Sequence, residues 1–167
     1  MAHEELKQRV LEEIDRNADH LISVGERIYR DPELGFKEFR TAKIVATEFQ
    51  RLGLGYHEEI AITGLKTLVS GGSAGPTVGV IGELDSVLVS DHEFANPETG
   101  AAHCCGHNAQ LMTMLGVANG LIKSGVLSEL AGRVAFFAMP AEEYVEIDYR
   151  VELRDRGETE FLAARAR

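Results

Sequence analysis

Three short polar segments carry side chains that could perform acid–base or metal chemistry. In chain order they are 82–85 (Gly-Glu-Leu-Asp), 103–108 (His-Cys-Cys-Gly-His-Asn) and 140–143 (Pro-Ala-Glu-Glu). The first and third directly follow apolar runs, and the second directly precedes an apolar helical pattern. Thiolate, imidazole and carboxylate groups bind divalent metals, and carboxylates also serve as general bases. The sequence therefore predicts a hydrolytic or metal-binding site if the fold brings these segments together.

The spacing within the segments suggests separate roles for their residues. Cys105 and His107 are separated by one glycine, so both can face one metal ion, because alternate residues of an extended turn point the same way. A cysteine before a helix feels the positive end of the helix dipole, which favours the thiolate. Glu142 and Glu143 are neighbours and point in different directions, so one can bind metal while the other is the general base on a metal-bound water. Asp85 is placed to hydrogen-bond a metal ligand and hold its orientation.

Each of these interpretations has a structural alternative. Cys104 is most simply a small buried residue, and Cys105 with His107 could be an ordinary loop pair. The two glutamates could form a solvated acidic turn, and Asp85 could cap a turn. The adjacent thiols could also form a redox site, although they lack the Cys-x-x-Cys spacing. The remaining histidines, at positions 3, 20, 57 and 92, are expected at the surface.

The hydrophobic pattern predicts the elements that must position these segments. Apolar residues at helical spacing begin at Leu6 and should stop at Asp31-Pro32, since the residue before proline avoids the helical region. Two further helices are expected over 37–52 and 108–123, and strands over 56–62, 65–70, 76–81 and 133–139. The apolar strand 76–81 reads as a central strand covered on both faces.

This order predicts an α/β fold, a three-layer α/β/α sandwich with a mixed, mostly parallel sheet. Ligands of open α/β sheets bind outside the carboxyl ends of the strands, beside helix N-termini. All three polar segments fall on that rim, so we expect them to meet although they are far apart in sequence.

Composition and charge exclude several classes of protein. The chain has 167 residues, about one domain, with 44% apolar residues and a net charge of −10 (17 Lys+Arg, 27 Asp+Glu). An acidic chain is a poor partner for nucleic acid or an anionic membrane. No apolar stretch approaches the roughly 18 residues of a membrane span, and no secretory signal is visible. The only cysteines, Cys104 and Cys105, are adjacent and poorly placed for a disulfide, so a cytoplasmic location is expected.

Four motifs in order resemble the N-terminal half of the aminoacylase/carboxypeptidase-type metallo-amidohydrolases, the group that includes hippurate hydrolase, indole-acetyl-amino-acid hydrolases and aminobenzoyl-glutamate hydrolase. The motifs are the three polar segments and residues 31–36 (Asp-Pro-Glu-Leu-Gly-Phe). The resemblance implies hydrolysis of the amide bond of an N-acyl amino acid or small peptide by a metal-activated water. It also implies zinc or manganese, with up to two divalent ions in the full-length family and one or none here. By position, Cys105, His107 and Glu143 resemble metal ligands, Glu142 the catalytic base, and Asp85 a residue that supports a ligand.

The sequence also departs from the family pattern. Asn108 and Gln110 stand where Asp and His are commoner, which resembles a peptidase/aminoacylase subgroup. Family members are commonly more than twice as long, with an inserted lid or dimerisation domain and two further histidine ligands, whereas no histidine follows His107 here. The resemblance therefore implies that residues 1–146 are the N-terminal part of an incomplete catalytic domain. Residues 147–167 read as a charged C-terminal tail, with the lid or dimerisation domain absent.

Two consequences are expected from an incomplete domain. Missing strands should leave an apolar sheet edge through which the chain pairs, so a homo-oligomer is expected. The alternative to an active amidohydrolase is a truncated, non-catalytic metal- or partner-binding domain of the same family.

Overall fold

The computed structural model describes residues 2–163, which form an α/β fold in which a mixed sheet packs against helices. The helices are α1 (Ala2–Arg16), α2 (Ala18–Arg30), α3 (Phe39–Arg51), α4 (His107–Lys123) and α5 (Ile147–Asp155), with a short 3₁₀ turn at Val126–Glu129. The strands are β1 (Tyr56–Ile60), β2 (Gly64–Ser70), β3 (Ser73–Glu83), β4 (Val87–Leu88), β5 (Ala101–Ala102) and β6 (Ala131–Met139).

The hydrophobic periodicity located most elements correctly, but the first helix is interrupted. The predicted end before Pro32 is confirmed, since α2 ends at Arg30. The helical pattern that begins near Leu6 nevertheless divides at Asn17, between α1 and α2. The side-chain amide of Asn17 donates to Asn119 of α4 at 3.2 Å, and Asn119 donates in turn to the carbonyl of Glu13 at 3.0 Å. This amide pair joins the interruption between α1 and α2 to helix α4.

The main sheet has the order β1-β2-β6-β3 and is mixed, as predicted, but the prediction that it is mostly parallel is wrong. β1 and β2 are antiparallel, β2 and β6 are antiparallel, and only β3 and β6 are parallel. The tight connection between β1 and β2 permits only an antiparallel pair. β3 and β6 can run parallel because α4 lies between them in sequence and supplies the long crossover that such a pair needs.

The core lies on one face of this sheet, between the strands and helices α2, α3 and α4. Its buried side chains include Leu21, Val24, Ile28, Val45, Phe49, Leu65, Val69, Leu111, Leu115, Phe136 and Ala138. On the opposite face Leu68 and Ile81 are 45% and 46% exposed. Within residues 2–163 the arrangement is therefore two-layered, and the predicted third layer is not found there.

β3 is an edge strand of the described sheet, so the prediction that it is central and covered on both faces is wrong. Its only partner among the described strands is β6, and Val78 is 58% exposed. A run of β-branched residues is equally compatible with an edge strand, because strand order depends on pairing and not on local composition.

The segment predicted as a charged tail contains the helix α5. Leu153 of this helix is buried with Phe36 and Ala141 in a second, small core cluster. Arg150, on the same helix, is fully buried. Residues 164–167, the last part of the predicted tail, lie outside the described residues. Among the residues described, no helix is both long and apolar enough to cross a bilayer.

Candidate functional site

The three polar segments meet at one edge of the sheet. β3 and β6 run parallel and are paired up to Glu83 and Met139, so the residues that follow both strands emerge side by side. The backbone N–H of Leu84 donates to the carbonyl of Met139 at 2.8 Å, which continues the pairing beyond β3. Helix α4 begins at His107 against the same edge. The parallel pair and its crossover helix thus create the site.

The turn before α4 places Cys105 next to His107. Gly106 is the N-cap of α4 and has φ +91°, in the left-handed region that glycine adopts without strain. This turn leaves Cys105 partly buried and His107 buried. Cys104 is exposed, so the interpretation of Cys104 as a buried residue is wrong. The two neighbouring cysteines therefore have different environments, and only Cys105 faces the cluster of polar groups.

His107 is the centre of that cluster. Its Nδ1–H donates to the backbone carbonyl of Asp85 at 2.9 Å, and the Oδ1 atom of Asp85 is 3.4 Å from Nδ1. The other ring nitrogen, Nε2, lies 2.9 Å from Glu83, 3.8 Å from Glu142 and 3.9 Å from Glu143. Asp85 therefore sets the orientation of the ring and leaves Nε2 facing the three glutamates.

The two histidines of the 103–108 segment have pKa values shifted in opposite directions. Burial by itself would lower the pKa of His107, but hydrogen bonds to Asp85 and Cys105 outweigh burial and raise that pKa to about 11. For His103, burial lowers the pKa to about 4, and the nearby charge of His107 adds to the effect. Both ring nitrogens of His103 are buried without a hydrogen-bond partner among the described residues. One histidine thus favours its charged form, and the other its neutral form.

Two overlapping groups of side chains have the spacing of metal ligands. In one, ligand atoms of Cys105, His107 and Glu143 all lie within 4.8 Å of one another; in the other, those of Glu83, His107 and Glu142 do. The first is the set of ligands expected from the sequence. Four carboxylates, including that of Asp85, lie within 4.0 Å of the His107 ring nitrogens. The negative charge of these carboxylates is offset by the proton of the His107 ring or by a divalent cation that takes its place.

The predicted supporting residue, Asp85, is fully buried and connects two of the segments. Its Oδ2 atom accepts the backbone N–H of Glu143 at 2.9 Å, while Oδ1 faces His107. Glu83 was missed as a cluster member, although Glu83 and Asp85 have the period-two spacing that places both on one side of an extended chain. No pattern in the sequence indicated that Glu38 and Arg150 contact the backbone of Ala141, next to the glutamate pair.

The motif at 31–36 supports the site through hydrogen bonds made by Glu33. The carboxylate of Glu33 accepts the backbone N–H and the hydroxyl of Thr41 at 2.8 and 3.0 Å, near the start of α3. The carbonyl of Glu33 accepts the backbone N–H and the hydroxyl of Ser86 at 2.9 and 2.8 Å. The motif therefore connects α3 to the turn that carries Asp85.

Comparison with known proteins identifies relatives of this chain. The sequence matches no protein-family model. It is 30% identical over 143 residues to thermostable carboxypeptidase 2 of Saccharolobus solfataricus, and this match covers 83% of this chain and 36% of the carboxypeptidase. It is 34% identical over 128 residues to IAA-amino acid hydrolase ILR1-like 5 of Arabidopsis thaliana, and this match covers 75% of this chain and 29% of the hydrolase. The chain thus spans about a third of the length of these relatives.

A solved structure shares the fold. The Bacillus subtilis YXEP protein, described as a dinuclear metal-binding peptidase of the M20 family, superimposes with a TM-score of 0.66 at 25% identity. The match covers 83% of this chain and 39% of that protein.

Proposed function

We propose that this chain carries a metal site for hydrolysis of the amide bond of an N-acyl amino acid or small peptide. The chain belongs to the same family as these carboxypeptidases, IAA-amino acid hydrolases and M20 peptidases. The observation that carries the proposal is the meeting of Cys105, His107, Glu142 and Glu143 at the carboxyl ends of β3 and β6. In this proposal residues 1–146 supply the N-terminal part of the catalytic domain.

Cys105, His107 and Glu143 are the proposed ligands of a divalent ion. Their ligand atoms lie within 4.8 Å of one another, a spacing that a single ion can bridge. A sulfur, a nitrogen and an oxygen donor suit zinc, and manganese, which prefers oxygen ligands, is the second candidate. Three protein ligands with an open position are typical of catalytic zinc sites.

Glu142 is the proposed general base. Its Oε2 atom is 3.8 Å from Nε2 of His107, beside the proposed ligands, and its side chain is partly exposed and so accessible to water. A divalent ion held by these residues would supply Lewis-acid polarisation of the substrate carbonyl and would lower the pKa of water. The role of Glu142 is to take a proton from the attacking water and to deliver it to the leaving amine. Asp85 keeps Nε2 of His107 directed at the ligand cluster by holding Nδ1–H.

Metal content tests the ligand set, and the neighbouring cysteine provides a matched control. We expect purified wild-type protein and Cys104→Ala to retain the same metal when measured by inductively coupled plasma mass spectrometry, and Cys105→Ala to lose it. Both substitutions remove one thiol from the same turn, but only Cys105 belongs to the cluster. Equal metal content in all three proteins would remove Cys105 from the site.

Hydrolysis tests the base. With added zinc or manganese we expect wild-type protein to hydrolyse N-acetyl amino acids or dipeptides, and Glu142→Gln to lose about 100- to 10,000-fold in kcat while retaining metal. Glu143→Gln should instead lose metal. If Glu142→Gln were as active as wild type, the assignment of the base would be wrong.

The second candidate function is metal binding without turnover. It is favoured by one observation, that Glu142, the proposed base, also lies within 4.8 Å of ligand atoms of Glu83 and His107 and so has the spacing of a metal ligand. Bound metal with no hydrolysis of any N-acyl amino acid or dipeptide would support this alternative.

Self-association through the edge of β3 and a cytoplasmic location complete the proposal. The outer edge of β3 has no partner among the described strands, and Leu68 and Ile81 expose apolar surface on the open face of the sheet. Light scattering on a size-exclusion column should therefore give at least twice the mass of one chain, and a monomer would contradict the pairing. The free thiols of Cys104 and Cys105 suit a reducing compartment.

A further inference from the structure

The residue directly before the two glutamates has an unusual backbone conformation. Ala141 is fully buried and has φ +52°, in the left-handed region that residues other than glycine rarely adopt. The conformation of Ala141 decides where the chain goes next, and so where Glu142 and Glu143 point. Such a conformation persists only where surrounding contacts enforce it.

One of those contacts comes from Glu38, a fully buried carboxylate between the 31–36 motif and α3. Its Oε1 atom accepts the backbone N–H of Ala141 at 2.7 Å, across 103 residues of sequence. Its Oε2 atom accepts the hydroxyl of Thr63, at the β1–β2 turn, at 2.6 Å. Glu38 is therefore held in place by Thr63 while it holds the amide of Ala141.

The other contact comes from Arg150 of α5, which is also fully buried. Its Nη1 atom donates to the carbonyl of Ala141 at 3.1 Å and to that of Leu162 at 2.8 Å. Its Nη2 atom lies 4.0 Å from Oδ2 of Asp85, the atom that accepts the N–H of Glu143. The guanidinium thus contacts both Ala141 and the carboxylate of Asp85. That carboxylate accepts the backbone N–H of Glu143.

Gly35 makes room for this arrangement. A Cβ atom at position 35 would collide with Nη2 of Arg150 and would lie 2.9 Å from Cβ of Ala141. The glycine of the 31–36 motif therefore has a specific packing reason: it lets the backbone pass against both Arg150 and Ala141.

We infer that Glu38 and Arg150 are positioning residues that clamp the two backbone polar groups of Ala141 and thereby aim Glu142 and Glu143 into the metal site. Neither residue touches the proposed ligands; both hold the backbone of Ala141, and Arg150 also faces the carboxylate of Asp85. The inference rests on the proposed function, since it assigns a purpose to the direction of those two glutamates.

Cobalt binding distinguishes this role from a purely structural one. Co²⁺ titrated into the metal-free protein reports a thiolate ligand through a sulfur-to-cobalt charge-transfer band and the ligand geometry through its visible bands. We expect Glu38→Ala to weaken cobalt binding by about 10- to 100-fold, the range found when a residue that supports metal ligands is removed. Glu38→Gln should retain near wild-type affinity, because its amide oxygen can still accept the N–H of Ala141.

Glu48→Ala is the matched control. Glu48 is also a buried carboxylate, but it pairs with His20 and Arg51, away from the site. Both alanine variants remove one buried carboxyl group, so a loss of affinity in Glu38→Ala alone supports positioning. Equal affinities in Glu38→Ala, Glu48→Ala and wild type would overturn the inference, as would equal losses in Glu38→Ala and Glu38→Gln.

A second measurement separates this inference from the proposed metal site. If wild-type protein gives no thiolate–cobalt band, the proposed ligand set is wrong. The clamp itself is still tested by hydrogen exchange of the Ala141 amide, followed by NMR in the same variants. Exchange at Ala141 should be at least tenfold faster in Glu38→Ala than in Glu38→Gln, and an unchanged rate would refute the clamp. Should Glu38→Ala fail to fold, Arg150→Met, which removes the bond to the Ala141 carbonyl, replaces it in both measurements with the same expected direction.

Discussion

The pH dependence of stability should change when Glu38 is replaced by Gln. Burial raises the pKa of Glu38 from 4.5 to about 7, against the opposing hydrogen bonds from Thr63 and Ala141, and the negative charge of Asp85 contributes in the same direction as burial. The positive charge of Arg150 faces the same carboxylate. Folded protein therefore binds a proton at Glu38 more tightly than unfolded protein does.

The sign and size of the effect follow from proton linkage. A raised pKa in the folded state means that the contribution of Glu38 to stability is greatest below pH 4.5 and falls as the pH rises to about 7. At about 1.4 kcal/mol per pH unit over this interval, the free energy of unfolding of wild-type protein should fall by about 3 kcal/mol, and that of Glu38→Gln should not show this fall. The free energy of unfolding of Glu38→Gln, relative to wild type, should therefore rise by about 3 kcal/mol across this window.

Urea unfolding of both proteins at a series of pH values between about 4.5 and 8 measures this difference. Glu48→Gln is the control with the opposite sign. Hydrogen bonds from His20 and Arg51 outweigh burial and lower the pKa of Glu48, so its contribution is present above pH 4.5 and is lost as the pH falls. The stability of Glu48→Gln relative to wild type should consequently decrease as the pH rises toward 4.5, and it should stay nearly constant between about 4.5 and 8. A pH-independent difference between Glu38→Gln and wild type would refute the reasoning.

Three further substitutions test the site and its supports. Asp85→Asn should weaken metal binding by about 10- to 100-fold in competition with a chromogenic chelator, because the buried charge beside His107 is lost; unchanged affinity would show that Asp85 does not support the ligand. Gly35→Ala should lower the melting temperature measured by circular dichroism, because its Cβ would collide with the Arg150 guanidinium; an unchanged melting temperature would contradict this packing. Phe136→Ala, in the main core, should cost about 3–5 kcal/mol in urea unfolding, and a cost below about 1 kcal/mol would mean that Phe136 is not packed as described.

The local elements were predictable because they depend on patterns over neighbouring residues. The stripe on α4 and the apolar run of β6 were located to within one or two residues of their observed bounds. Helix α3 was recognised from its periodicity, and the end of α2 from Pro32. An amphipathic stripe or a proline acts on its own turn of chain, so no knowledge of distant contacts is needed.

The residues brought together at the site were partly predictable for the same reason. Cys105, His107 and the glutamate pair were selected by residue type, by spacing and by their place after strands or before a helix. Their metal-binding and catalytic roles remain predictions. Glu38 and Arg150 could not be selected, because a single charged residue in a sequence gives no sign that a distant backbone group will pair with it in the interior.

Most of the longer helices and strands, the donor atoms available to a metal, and the related family were predictable from residue patterns alone, whereas α5 and the short strands β4 and β5 were not. The three-dimensional fold was needed to establish that β3 lies at an edge, that the described helices α1 to α4 share one face of the sheet, and that Ala141 is held between Glu38 and Arg150. Helix and strand patterns depend on neighbours in sequence. Strand order and the burial of charge, in contrast, are set by pairings between residues that the chain separates by up to about a hundred positions.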